Sequence, residues 1–154
     1  MELKESTFDE NGNVNSFECE IKEVKLFTSF LVYSYINDDC YIILEERTDE
    51  PFKGLYELPS YEVNDLTVDG NTKRFSDEFG MTDSKFFMSG IYEYINIELG
   101  LRKIFIILSK KMKDHTKVKM NTKKKIKFYN ISNLPDMAFD HDGLIDYNLG
   151  QIQN

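Results

Sequence analysis

The stretch from Asp49 to Met81 constrains this chain more than any other. Its first half, Pro51 to Pro59, carries Pro, Lys, Gly and acids with no long apolar run, so it belongs at the surface. Its second half sets Val68, Thr72, Phe75 and Phe79 at spacings of 4, 3 and 4, one stripe of a helix. Gly80 follows the last apolar member, where a left-handed cap is wanted. The predicted arrangement is a surface loop feeding an amphipathic helix. Asp77 and Glu78 fall on the last turn of that helix. The macrodipole disfavours an anion there by roughly 0.3–1 kcal/mol. Solvation on an exposed face is one reading of this pair. The other is a hard divalent cation such as Mg2+, which takes carboxylate oxygens and would offset the unfavourable placement.

With 154 residues the chain makes one domain with ample length for a core. The expected division is an arm over residues 1–20 and a domain over 21–154. The net charge of −8 disfavours binding of the whole surface to nucleic acid or acidic membranes. The charge is uneven: the segment 110–127 holds nine lysines with Asp114 as its one acid. Guarding an exposed strand edge is the expected role of those lysines. A nucleic-acid patch is disfavoured because aromatic residues do not interleave them. Cys19 and Cys40 have no metal spacing and form no disulfide framework. The first ten residues are acidic rather than basic and then apolar, and the longest apolar runs are far short of the ~20 residues of a membrane helix. Cytoplasmic residence and no membrane partner are therefore expected.

Along the chain, Asp9 to Asn13 is a turn signal within a polar beginning, and Phe17 to Phe30 reads as an edge strand. Leu31 to Ile36 and Cys40 to Glu46 flank a short polar turn, the pattern of a β-hairpin. Phe86 to Ile91 and Tyr92 to Ile97 read as two strands. A turn at Asn96 to Gly100 precedes a central strand, Leu101 to Leu108, and Ile126 to Ile131 resumes as a strand. Asp140 to Gln153 is the last helix, with Leu144, Ile145, Asn148, Leu149 and Ile152 as its stripe and Asp140 as N-cap. Gly143 and Gly150 weaken it by ~1 kcal/mol each relative to Ala, so it must lean on the core. His141 is expected to tether the preceding loop.

Three segments together resemble the Nudix family, over roughly residues 30–152. The family box is G-x5-E-x7-R-E-U-x-E-E-x-G-U, and its helical part falls on Lys73-Arg74-Phe75-Ser76-Asp77-Glu78-Phe79-Gly80-Met81. The lead-in from Arg47 to Pro59, with Glu-Pro-Phe-Lys-Gly at its centre, is similar to the family's passage before the box. Leu134-Pro135-Asp136-Met137-Ala138-Phe139-Asp140-His141 resembles a segment of the branch that holds ADP-ribose pyrophosphatases and the Nudix domains of regulators of NAD metabolism. The resemblance implies an α+β fold, a mixed β-sheet sandwiched between helices. It departs from the family at Lys73 for Arg, at Arg74 for the Glu that serves as metal ligand and often as base, and at Ser60-Tyr61 for Gly-Gly. Pro59 to Lys73 is two residues short, which leaves Glu62 and Asp65 as candidates for the Glu before the helix.

The implied function is Mg2+-dependent hydrolysis, with Mn2+ as a substitute, of a nucleoside diphosphate linked to another group, slowed by the altered box. Asp77 and Glu78 would be the metal ligands and catalytic acids. Arg47, Phe52, Lys53, Pro59 and Arg102 would bind ligand, Arg47 and Arg102 as phosphate clamps, for which the guanidinium fork is apt. Glu93 and Glu98 are further candidates for a late base or ligand. An alternative is a catalytically dead domain that senses an ADP-ribose-like ligand within a transcriptional regulator. Arg74 motivates it: Arg repels Mg2+ where an acid would attract it, and losing a general base costs about 10²–10⁴-fold in rate. A homodimer is expected, and nucleic acid becomes a partner only if a winged helix follows this segment.

Overall fold

The computed structural model describes residues 5–8, 14–17, 23–63, 67–81, 85–119 and 126–153. Asp65, Cys19 and part of the lysine segment lie outside them. A short hairpin joins β1 (Glu5–Phe8) to β2 (Val14–Phe17), and a larger mixed sheet follows. Its strands are β3 (Glu23–Ile36), β4 (Asp39–Glu46), β5 (Tyr56–Glu57), β6 (Ser60–Glu62), β7 (Phe87–Asn96), β8 (Leu101–Lys111) and β9 (Ile126–Asn130). The main path runs β5-β4-β3-β8-β7, with β6 paired to β3 and β9 to β4. Two helices, α1 (Val68–Phe79) and α2 (His141–Gln153), cover opposite faces. This is the α+β sandwich expected from the sequence.

Period-2 alternation builds both layers. Leu31 and Tyr33 of β3 and Cys40, Ile42 and Leu44 of β4 turn toward α2, joining Leu144, Ile145 and Leu149. Phe30, Val32 and Ile43 turn the other way, toward Phe75 and Phe79 of α1. Stacked rings hold α1 down: Phe30 to Phe75 at 4.2 Å and Phe75 to Phe79 at 4.3 Å between centroids. Thr67 caps the start of α1 by accepting from the Gly70 N–H, and Gly80 ends it at φ 67°. The expected hairpin of β3 and β4 turns at Asn37 and Asp38, both at positive φ, which Asn and Asp tolerate.

Two features differ from the sequence expectations. Of the segment read as an edge strand, residues 23–30 belong to β3, a central strand that pairs with β4, β6 and, in parallel, β8, while Phe17 ends β2 and residues 18–22 lie outside the described residues. Burial on both faces explains it: Phe30, Leu31 and Val32 are fully buried. The two strands expected before Asn96 are one, β7, with a bulge between Met88 and Gly90. Asp140 stands at the N-cap position expected of it, directly before α2, where its backbone carbonyl accepts from Gly143 and Leu144 at φ 55°. Among the described residues no helix is long and apolar enough to cross a membrane.

Candidate functional site

The loop between β4 and β5 is folded around one side chain. Arg47 ends β4, and its Nε donates to the Pro51 carbonyl at 2.8 Å. Its Nη1 meets both Glu57 carboxylate oxygens, at 3.2 and 3.0 Å. Its Cζ lies 4.6 Å from the Phe139 ring centroid. Backbone bonds from Arg47 N–H to the Leu55 carbonyl and from Gly54 N–H to the Arg47 carbonyl close the loop. Both partners of the ion pair are largely buried, with side chains 13% and 14% exposed. Burial raises the Glu57 pKa above the ordinary carboxylate value, and Arg47 opposes that rise.

Tyr61 links the loop to α1. Its place in β6, opposite Thr28, turns its ring toward Phe30 and Phe75. The Arg74 guanidinium stacks over the outer face of that ring, Cζ 4.6 Å from the centroid. The Tyr61 hydroxyl donates to Glu78 at 2.5 Å. Burial, then this bond to the Glu78 carboxylate, pushes the Tyr61 pKa far up, so the phenol keeps its proton. Tyr61 of β6 thus stands between two residues of α1, the exposed Arg74 over its ring and Glu78 at its hydroxyl. A cavity of about 210 Å³ opens beside it, lined by Arg74, Tyr61, Ser60, Glu45, Glu46, Arg47, Thr48, Asp49 and Glu57.

The predicted site residues do not all converge there. Glu78 is half-buried at the Tyr61 hydroxyl, whereas Asp77 is exposed. Phe52 packs against Tyr94 and Phe139 at 6.3 and 5.3 Å, so it is a loop anchor. Lys53 is exposed at the loop tip. The Pro59 carbonyl accepts from the Phe30 N–H at 2.9 Å, within the sheet. Arg102 is outside the cavity lining; its Nη2 pairs with Glu93 at 2.8 Å on the sheet face around the β7 strand. Glu62 and Glu98 are exposed.

Two buried polar residues lie behind the loop. His141 tethers it as expected: its Nδ1 accepts from the Leu58 N–H at 3.2 Å. Burial, with Arg47 and Lys103 nearby, pushes the His141 pKa down to about 3, so the ring stays neutral. Lys103, which sequence reasoning missed, is only 8% exposed and holds its Nζ 4.2 Å from the Phe139 ring centroid and 5.0 Å from that of Phe27. A lysine at a core-facing position of a strong apolar strand was the available signal.

The donor set does not fit a divalent cation. Among the described residues, no three of His, Cys, Asp or Glu converge closely enough to hold one. The Arg74 guanidinium lies over Tyr61, and the Glu78 carboxylate is bonded by Tyr61. The architecture itself is common among solved structures. The Nudix domain of Shewanella oneidensis NrtR, solved with ADP ribose, superposes with a TM-score of 0.70 at 14% identity, covering 86% of this chain and 90% of that domain.

The chain is a Nudix-fold protein.

A bifunctional NMN adenylyltransferase/ADP ribose pyrophosphatase from Francisella tularensis, solved with AMP and a Mn ion, shares the Nudix fold at a TM-score of 0.63, with 19% identity over 84% of this chain and 42% of that one. In sequence, an ADP-ribose pyrophosphatase of Methanocaldococcus jannaschii is 25% identical over 133 residues, 83% of this chain and 79% of the relative. No family model matches the sequence.

Proposed function

We propose that this Nudix domain binds a nucleoside diphosphate joined to another group, of ADP-ribose type, and turns it over weakly or not at all. One observation carries the reading: the Arg74 guanidinium is stacked on Tyr61 beside Glu78, so a fixed cation faces the cavity where a metal-dependent relative needs acids. A guanidinium can take phosphate oxygens bidentately without a metal. Carboxylates such as Glu45 and Glu46 on the same wall can accept from ribose hydroxyls. A mixed lining of this kind suits a ligand that carries phosphate acceptors and sugar donors together. At about 210 Å³ the cavity takes one end of such a ligand. The rest would lie over the 47–55 loop, where Lys53 is exposed.

The neighbours supply the ligand class, since the NrtR domain was solved with ADP ribose. The domain over 21–154, its arm over 1–20 and cytoplasmic residence belong to the same proposal. A second reading, the metal-dependent hydrolase, is favoured by the archaeal pyrophosphatase relative and by the Asp77-Glu78 pair. Under it Asp77 and Glu78 would hold Mg2+ or Mn2+. Incubating ADP-ribose with the protein under either metal separates the two. Turnover that is lost in Glu78→Gln supports the second reading; saturable binding in EDTA without turnover supports the first.

A further inference from the structure

The cavity beside Tyr61 is lined by nine polar or charged residues, and its donors and acceptors are unevenly engaged. Arg47 is taken up by the loop: its Nε donates to the Pro51 carbonyl, its Nη1 to Glu57, and its Nη2 reaches the Asp49 carbonyl at 3.4 Å. The Tyr61 hydroxyl donates to Glu78. The Ser60 hydroxyl donates to the Leu58 carbonyl at 2.9 Å and meets the Ser29 hydroxyl at 2.7 Å. Among the described residues of the lining this leaves two side-chain donors for a ligand, the exposed Arg74 guanidinium and the Thr48 hydroxyl. Acceptors are in excess. Glu45, Glu46 and Asp49 join Glu57 on the walls, so four acids stand against two arginines. A carboxylate has about four lone-pair sites, so each accepts from a ligand beside any partner it already has.

We infer that the ligand enters this cavity by its terminal sugar and that its nucleobase is not read. This rests on the ligand class proposed above and names the end of it that the site selects. The phosphates stop at the exposed Arg74 guanidinium, because further in they meet carboxylates. A neutral sugar suits those carboxylates: its hydroxyls donate, and each such bond is charge-assisted. Adenine does not suit them. It has one amino group to donate, and its ring nitrogens are acceptors facing acceptors. A base also gains from an aromatic face to stack on. Tyr61 is the one aromatic residue of the described lining; Arg74 covers its outer face, and Phe30 and Phe75 pack against the ring. Phe52, in the adjoining loop, is packed against Tyr94 and Phe139. At about 210 Å³ the cavity is smaller than the ~300–1,000 Å³ of sites that enclose a whole small ligand, so it takes the sugar and leaves the base outside. The domain therefore selects a nucleoside diphosphate by its sugar and tolerates any base.

Calorimetric titration of the full chain in EDTA tests this. Ribose 5-phosphate and AMP carry the same phosphate and differ at C1, a hydroxyl against adenine. Ribose 5-phosphate is expected to bind about tenfold tighter or more. ADP-ribose, GDP-ribose and CDP-ribose are expected to bind within about threefold of one another. Glu45→Gln keeps the shape of the wall and removes a charge; it is expected to cut the preference for ribose 5-phosphate over AMP severalfold. AMP that binds as tightly as ribose 5-phosphate overturns the inference. So does a loss of about tenfold or more when cytosine replaces adenine, or a preference that Glu45→Gln leaves untouched. With ADP-ribose still bound, any of these results removes the orientation and leaves the ligand class standing. If none of the three nucleoside diphosphate riboses binds, both fall.

Discussion

In the cleft, Glu57 is answered by Arg47 and Glu78 by Tyr61, whereas on the β7 face Met88 and Ile91 stand more than 60% exposed. The first region is polar and satisfied from within; the second is apolar and covered by nothing among the described residues. Arg47 gives Glu57 a counter-charge and Tyr61 gives Glu78 a neutral donor. The difference teaches that Arg74 and Glu78 are tied into the packing around Tyr61. Arg74 has a ring to stack on, and that ring is fixed by β6 and by Phe75 beneath it.

The largest expected effect sharpens this contrast in packing. Phe75→Ala should cost about 3–5 kcal/mol in urea denaturation, because it empties the centre of the stack under the cleft. Ile91→Ala on the open face should change stability by under about 0.5 kcal/mol. Equal losses at the two sites would break the contrast. Next, Arg47→Ala should cost about 3 kcal/mol, since it leaves Glu57 buried without its counter-charge and unlatches the loop. Arg47→Ala and Glu57→Gln together should recover part of that loss.

A smaller effect appears with pH. His141 is neutral when folded, with a pKa near 3, against an ordinary value of 6.5. The unfolded chain therefore binds a proton that the folded chain refuses between those values, and stability falls as pH drops through that window. From pH 6.5 to 5 the loss from this group should be roughly 1.6 kcal/mol. Glu57 acts in the opposite sense: its raised pKa costs stability as pH rises through its folded value. Comparing wild type with His141→Asn cancels that shared contribution. The variant should have the flatter melting temperature between pH 7 and 5, and parallel profiles would show that His141 is not held neutral.

Much of the scaffold was legible in the sequence because periodicity is local. Phe75, Phe79 and Gly80 announced α1, and the apolar runs around Asn37 and Asp38 announced the hairpin. The central place of β3 was not legible. Its partner β8 lies far along the chain, and its polar start at Glu23 to Lys25 looks like an edge. In the site, Arg74 was singled out by the resemblance and its destination was hidden. The stack on Tyr61 depends on the register of β6 against β3, which no local pattern encodes. The pairing of Arg47 with Glu57 was hidden for a similar reason: it arises from the closure of a loop whose ends meet by backbone bonds.

Isothermal titration of ADP-ribose, in EDTA and again in Mg2+, tests most directly whether Arg74 serves as the resident cation of the cleft. Wild-type affinity is expected to be the same in both, and Arg74→Glu should lose binding in EDTA and regain it on adding Mg2+. Wild-type binding that appears only with Mg2+, or an Arg74→Glu protein that binds as the wild type does in EDTA, would contradict that role.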